Sequence, residues 1–283
     1  MSCRDLLSAI NQYLDRSASN QFINDRGVQG IKPDMAATHA LDFLVSNPVA
    51  KHTASVIFLH GLGDSGLGWA PVAKMLGRHP SLSHIKWILP HAPESPVTLN
   101  MGMAMPSWFD IADLDLDLNA PDGGEDATGM LKSSMSVNRL ITAEIDEAGI
   151  PANRIVVGGF SQGAALSLLT GLTSERRLGG IIGLSGWLPL SGKMKSMMTD
   201  SARNLPIFLG HGTSDPVVRY QYGQQSFNHL KNALKFPEAT EENVQGITWK
   251  EYAGMGHSSC EEELDDLEVW LGKVLPAESQ STS

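Results

Sequence analysis

The feature that most restricts the fold is a rhythm: apolar runs too short for helices, separated by stretches with helical spacing. From Ser55 onward, residues 56–59, 85–89, 155–157, 181–184, 207–209 and 247–252 read as strands. The first five, in which only Lys86 is charged, are too continuously apolar for a half-exposed sheet, which predicts strands covered on both faces. Between and after them, Met130, Val137, Ile141, Ile145 and Ala148 share one helical face, as do Leu264, Leu267, Leu271 and Val274. Such alternation predicts an α/β fold with a mainly parallel central sheet and helices on both sides. A further edge strand is expected at 41–45.

Length and charge narrow the function classes. The chain has 283 residues, enough for one large domain or two small ones. Its 21 basic and 31 acidic side chains sum to −10, a field that repels phosphate backbones and argues against nucleic-acid binding. The two cysteines, Cys3 and Cys260, lie at opposite ends, which excludes a disulfide framework and a cysteine-based zinc cluster. Arg4 and Asp5 stand where a secretory signal needs its apolar core. No apolar run reaches the roughly 18 residues of a membrane span. These features predict a reducing, intracellular setting. Residues 1–34 carry one short helical pattern at 5–14 and then lose all period, so they are expected to be a mostly disordered extension. One domain is expected over 35–276, with a flexible tail at 277–283.

The chemistry begins at Gly159-Phe160-Ser161-Gln162-Gly163, a G-x-S-x-G. Chance alone gives about 0.3 such matches in a chain of this composition, so the spacing is weak by itself. Its context is stronger, because it follows the run 155–157 and precedes a good helix start. A strand-to-helix corner of this kind lifts a serine oxygen clear of the sheet. A Gly-rich turn with a capping serine explains the same residues equally well. A serine nucleophile needs a base, and the base an orienting carboxylate. In this architecture the partners follow in the order serine, acid, histidine on loops after later strands. Asp215 lies just beyond 207–209, and His257 just beyond 247–252. Each has a bland alternative: an Asx turn before Pro216 for Asp215, a plain loop histidine for His257. The agreement of three positions in order and topology favours a triad. Two backbone amides are then needed for an oxyanion: that of Gln162, after the nucleophile, and that of Leu62 in the loop His60-Gly61-Leu62-Gly63-Asp64. His60 and His211 are expected to be structural hydrogen-bonding residues rather than rival bases.

Six stretches together carry a family resemblance: FLHGLGD (58–64), PHAP (90–93), PVTLNM (96–101), MPSWFD (105–110), GGFSQG (158–163) and GMGHSSC (254–260). In these the chain resembles the acyl-protein thioesterases, of the palmitoyl-protein thioesterase/carboxylesterase group of α/β-hydrolases, from about residue 38 to 276. The resemblance implies an α/β-hydrolase fold and removal of long acyl chains from cysteine thioesters of proteins, without a cofactor. By position it assigns the nucleophile to Ser161, the acid to Asp215, the base to His257 and the oxyanion donors to Leu62 and Gln162. It also implies a flap over an apolar acyl channel. Here that stretch contains Leu99, Met101, Met103, Met105, Trp108 and Phe109, with Leu184, Trp187 and Leu188 expected on an opposite wall. Unbranched methionines suit flexible acyl chains, although the same residues can simply fill core beneath a long loop. S-acylated proteins are the implied partners, with transient contact at a membrane surface and a cytoplasmic, also nuclear, location. Three departures are notable. Ala164 replaces a frequent glycine, Gly186-Trp187 replaces a commoner cysteine-tryptophan pair, and residues 1–34 have no counterpart in typical members. Cys3 stands near a position acylated in some relatives.

The acidic stretch Asp110, Asp113, Asp115, Asp117, Asp122, Glu125, Asp126 does not meet calcium-loop spacing. Counted from Asp113, the sixth and twelfth positions are Leu118 and Gly124 rather than glycine and glutamate. No metal is expected. A general oxygen-ester carboxylesterase or lysophospholipase shares the same triad, so the residues leave that alternative open. A catalytically silent hydrolase-fold binding protein would lack a triad or oxyanion element.

Overall fold

The computed structural model describes residues 41–115 and 124–278. The expectations for 1–34, including Cys3 and the helix at 5–14, for Asp117 and Asp122, and for the last five residues of the tail lie outside them. In chain order the elements are β1 (Phe43–Ser46), β2 (Ala54–Leu59), α1 (Gly66–Leu76), β3 (Ile85–Pro90), β4 (Glu94–Pro96) and β5 (Ala104–Pro106). There follow α2 (Ala127–Asp146), β6 (Ile155–Phe160), α3 (Gln162–Thr173), β7 (Gly180–Leu184) and α4 (Ser191–Met197). The domain closes with β8 (Pro206–Gly212), α5 (Tyr220–Asn232), β9 (Gly246–Tyr252) and α6 (Glu261–Val274). All six expected strands form.

Seven strands make one sheet in the order β1-β3-β2-β6-β7-β8-β9, in which β1 alone pairs antiparallel. The unbroken apolar runs are explained by two cores, one on each face. Along β2, Ile57 and Leu59 enter a core shared with α2 and α3, while Val56 and Phe58 enter a second shared with α1 and α6. Burying one such side chain contributes roughly 1.5–3 kcal/mol, so both faces of each central strand are stabilising. In α2 the expected face holds at Met130, Val137 and Ile141, all buried. Ile145 is half-buried, and Ala148 lies beyond the helix end, which Gly149 marks with φ +70°. Asp126 caps the helix by accepting the Gly129 amide at 2.8 Å. In α6, Leu267 and Leu271 are buried together with Trp270 and Glu263, while Leu264 and Val274 are half-buried.

The chain runs from β2 outward to β3 and then crosses to β6 on the other side of β2. The loops after β2 and β6 therefore leave neighbouring strands at a topological switch point, where open α/β sheets place their ligands.

Candidate active site

Ser161 occupies the corner between β6 and α3 with φ 56° and ψ −118°, a conformation a side-chain-bearing residue adopts only under constraint. The constraint is local. A β-carbon on Gly159 would overlap the Gly163 backbone, and one on Gly163 would overlap the Leu59 carbonyl oxygen. The Ser161 amide donates to the Leu184 carbonyl at 2.9 Å, tying the corner to β7. Both glycines of the motif are thus required by close approach of backbone.

The Ser161 hydroxyl and His257 Nε2 are 3.0 Å apart, and His257 Nδ1 is 2.8 Å from Asp215 Oδ2. The other carboxylate oxygen, Oδ1, accepts the amides of Val217 and Val218 at 2.9 and 3.0 Å. The Asx turn and the catalytic arrangement coexist, one on each oxygen of the same carboxylate. The loops bearing the two residues are stitched together: the Thr213 amide donates to the Tyr252 carbonyl and the Ser214 amide to the Met255 carbonyl. The Phe160 ring lies 4.7 Å from the His257 imidazole, centroid to centroid.

His60 and His211 make other bonds, although His211 Nε2 also lies 3.5 Å from Asp215 Oδ2, the oxygen that faces His257. His60 Nδ1 donates to the Gly61 carbonyl at 2.7 Å while Nε2 accepts the Ala92 amide at 3.0 Å, which specifies the neutral tautomer. His211 Nε2 donates to the Val218 carbonyl at 2.8 Å. Burial pushes both imidazoles below their ordinary range, so they remain uncharged.

The two oxyanion candidates belong to segments that meet at Ser161. Gln162 is the first residue of α3, so its amide has no partner one turn back in the helix. The loop carrying Leu62 lies against the corner: a β-carbon on Gly61 would sit 3.3 Å from Ser161 Cβ. The Gln162 side chain has a role that sequence reasoning missed. Its Nε2 donates to Ser107 Oγ (3.0 Å) and the Phe109 carbonyl (2.7 Å), and its Oε1 accepts the Trp108 amide (3.0 Å). Trp108 in turn donates its indole N–H to the His60 carbonyl at 2.9 Å. One amide side chain thereby joins the nucleophile corner, the 107–109 segment and the loop after β2. No local signal marks this, because the partners are more than fifty residues away.

The nine residues expected to line an acyl channel divide into groups. Trp108, Phe109 and Trp187 are buried, with Phe109 and Trp187 meeting edge to face at 6.1 Å. Leu188 is fully buried in the same core. Met105 lies against the loop after β2, its sulfur 3.7 Å from where a β-carbon on Gly63 would stand. Leu99, Met101 and Met103 are exposed, Met101 to 87%, in the connection between β4 and β5. Leu184 does not share the wall expected of it. It packs with Ile182 and Phe208 in the core that Trp187 and Leu188 do not join, because alternate residues of β7 face opposite sides of the sheet.

A serine, a histidine and a carboxylate joined in series at the carboxyl ends of parallel strands define the α/β-hydrolases that work through a serine. The chain belongs to the Phospholipase/Carboxylesterase family, which matches residues 41–275. It is 52% identical over 239 residues to acyl-protein thioesterase 1 of Cryptococcus neoformans, covering 83% of this chain and 98% of that protein. Acyl-protein thioesterase 1 of Mycosarcoma maydis is 49% identical over 247 residues, covering 84% and 99%. Among solved structures, Zea mays acyl-protein thioesterase 2 superposes with a TM-score of 0.69 at 34% identity, covering 83% of this chain and 99% of its own.

Proposed function

We propose that the chain hydrolyses long-chain acyl thioesters on protein cysteines through an acyl-serine intermediate. The observation that carries the reading is the hydrogen-bonded series Ser161–His257–Asp215 in a chain about half identical to named acyl-protein thioesterases. In this mechanism His257 Nε2 takes the Ser161 proton as the oxygen attacks the thioester carbonyl. Asp215 holds the imidazole by its Nδ1 proton and stabilises the imidazolium. The Leu62 and Gln162 amides receive the oxyanion. The C–S bond breaks, cysteine leaves as its thiol with the proton from His257, and a water activated by the same imidazole hydrolyses the acyl-serine.

S-acylated proteins are the substrates in this reading, and the net charge of −10 favours those with basic segments beside the acylated cysteine. The exposed Leu99, Met101 and Met103 support transient contact with acyl chains at a membrane surface; among the described residues no helix is long and apolar enough to cross a membrane. A cytoplasmic, and also nuclear, location accompanies this reading. The test compares kcat/KM on an S-palmitoyl peptide and the matched O-palmitoyl peptide, for wild type and Ser161→Ala. Preference for the thioester, with a fall in kcat of about 10⁶-fold in the variant, is expected. Equal or better turnover of the oxygen ester would instead favour a carboxylesterase, as the family description allows. Near wild-type turnover by Ser161→Ala would remove the mechanism.

A further inference from the structure

Two consecutive carboxylates before α2 reach in different directions. Asp126 Oδ2 accepts the Asp110 amide at 3.0 Å, fixing the chain immediately after Phe109. Glu125 Oε1 accepts the indole N–H of Trp187 at 2.8 Å, and its Oε2 accepts the Leu190 amide at 2.6 Å. Glu125 therefore uses both oxygens to hold one turn, residues 187–190, whose last member sits in the left-handed region at φ 49°. A leucine stays there only when its surroundings hold it. Burial raises the Glu125 carboxyl above its ordinary range, and the two N–H donors offset only part of that rise.

Phe109 and Trp187, the two rings held in this way, form the edge-to-face pair described above. The backbone at or beside each also meets the Ser161 corner. The Phe109 carbonyl accepts from Gln162, next to Ser161. Gly186, next to Trp187, lies so close that a β-carbon there would stand 3.1 Å from the Ser161 carbonyl oxygen and would overlap Ala164. The rings, together with Ile111, Met130 and Glu125 itself, border a cavity of about 160 Å³. Movement of the Trp187 indole changes the wall of this cavity, which Asp110, Asp113 and Asp115 also line, without touching the triad.

We propose that Glu125 is a positioning residue that latches Trp187 against Phe109 and thereby sets which acyl chains the site accepts. The proposal rests on the acyl-serine reading above but not on its thioester preference. It adds to that reading a charged residue acting through hydrogen bonds on an apolar wall. Glu125→Ala removes the latch, and Trp187→Phe removes the donor while keeping an aromatic ring. Glu125→Gln retains one acceptor but turns an amide N–H toward the other donor.

The experiment measures kcat and KM for p-nitrophenyl butyrate and p-nitrophenyl laurate on wild type, the three single variants and the Glu125→Ala/Trp187→Phe double variant. These oxygen esters report on the wall whether or not the natural substrate is a thioester, so failure here is distinct from failure of the function assigned above. For Glu125→Ala, kcat/KM on the laurate is expected to fall at least tenfold, mainly through KM, while the butyrate stays within twofold. Trp187→Phe should lose more on the laurate than on the butyrate, Glu125→Gln should give a smaller effect than Glu125→Ala in the same direction, and the double variant should be no worse than the poorer single. An equal loss on both esters would mean that Glu125 only supports the fold. An unchanged chain-length profile, or multiplicative losses in the double variant, would overturn the latch.

Discussion

Glu263 offers a direct test of the electrostatics of the packed domain. It lies in the first turn of α6, fully buried, and neither carboxylate oxygen has a hydrogen-bond partner among the described residues. Its head packs so tightly on β8 that a β-carbon on Gly210 would overlap Oε1. Burial first, and Asp266 second, push its carboxyl up to about 8. The other groups facing this region are Tyr252 and Cys260, with Lys250 paired to Asp266 at 3.0 Å. Glu263 is therefore neutral in the folded protein at pH 7 but ionised in the unfolded chain, whose glutamates titrate near about 4.3. Below that pH the proton is bound in both states, and the stabilisation it confers on the fold is complete. As pH rises towards 8 the unfolded chain has already lost its proton, and stability falls by up to about 1.4 kcal/mol per pH unit. Across the whole window the loss is on the order of 5 kcal/mol, levelling above pH 8. Glu263→Gln keeps the shape and removes the titration. Urea unfolding followed by tryptophan fluorescence at pH 5, 6.5, 7.5 and 8.5 should show the variant no more stable than wild type at pH 5. By pH 8.5 the variant should lead by at least about 2 kcal/mol. Parallel stability profiles for the two proteins would refute the reasoning.

Two other perturbations test the site. Asp215→Asn can keep the Val217 and Val218 amides on its remaining oxygen, but it presents an amide donor to His257 Nδ1 and so favours the wrong tautomer. Folding should survive while kcat drops by about 10⁴-fold, measured on any acyl ester with melting temperature as the control. Gly163→Ala drives a methyl group into the carbonyl oxygens of Leu59 and His60. A loss of about 3 kcal/mol or more in unfolding free energy is expected, and a variant as stable as wild type would contradict the contact described.

Much of the architecture was legible because continuous apolar runs have few other uses. The six strands and the two-faced packing follow from residues such as Val56 to Leu59, whose alternate side chains enter different cores. The β4–β5 hairpin was not legible. Its three-residue strands contain Pro96 and Pro106 and are too short to show a period. The Ser161, Asp215 and His257 constellation could be read because each follows a recognisable strand. The wall around it could be read only in part. Leu184 enters the other core, and apolarity says nothing about which face a fully buried strand residue occupies. The side-chain work of Gln162 and Glu125 escaped notice because both act across more than fifty residues of sequence.

The proposed nucleophile and its base are anchored to unequal parts of the sheet. Ser161 follows β6, which has strands on both sides, whereas His257 follows β9, which lies at the sheet's edge beside β8. Edge elements open at lower free energy than a buried centre. Mild heat or denaturant should therefore silence the enzyme by releasing β9 and the loop after it while the serine corner is still packed. Such a loss is reversible on cooling or dilution. The temperature at which the protein stops working would then lie below the temperature at which it melts.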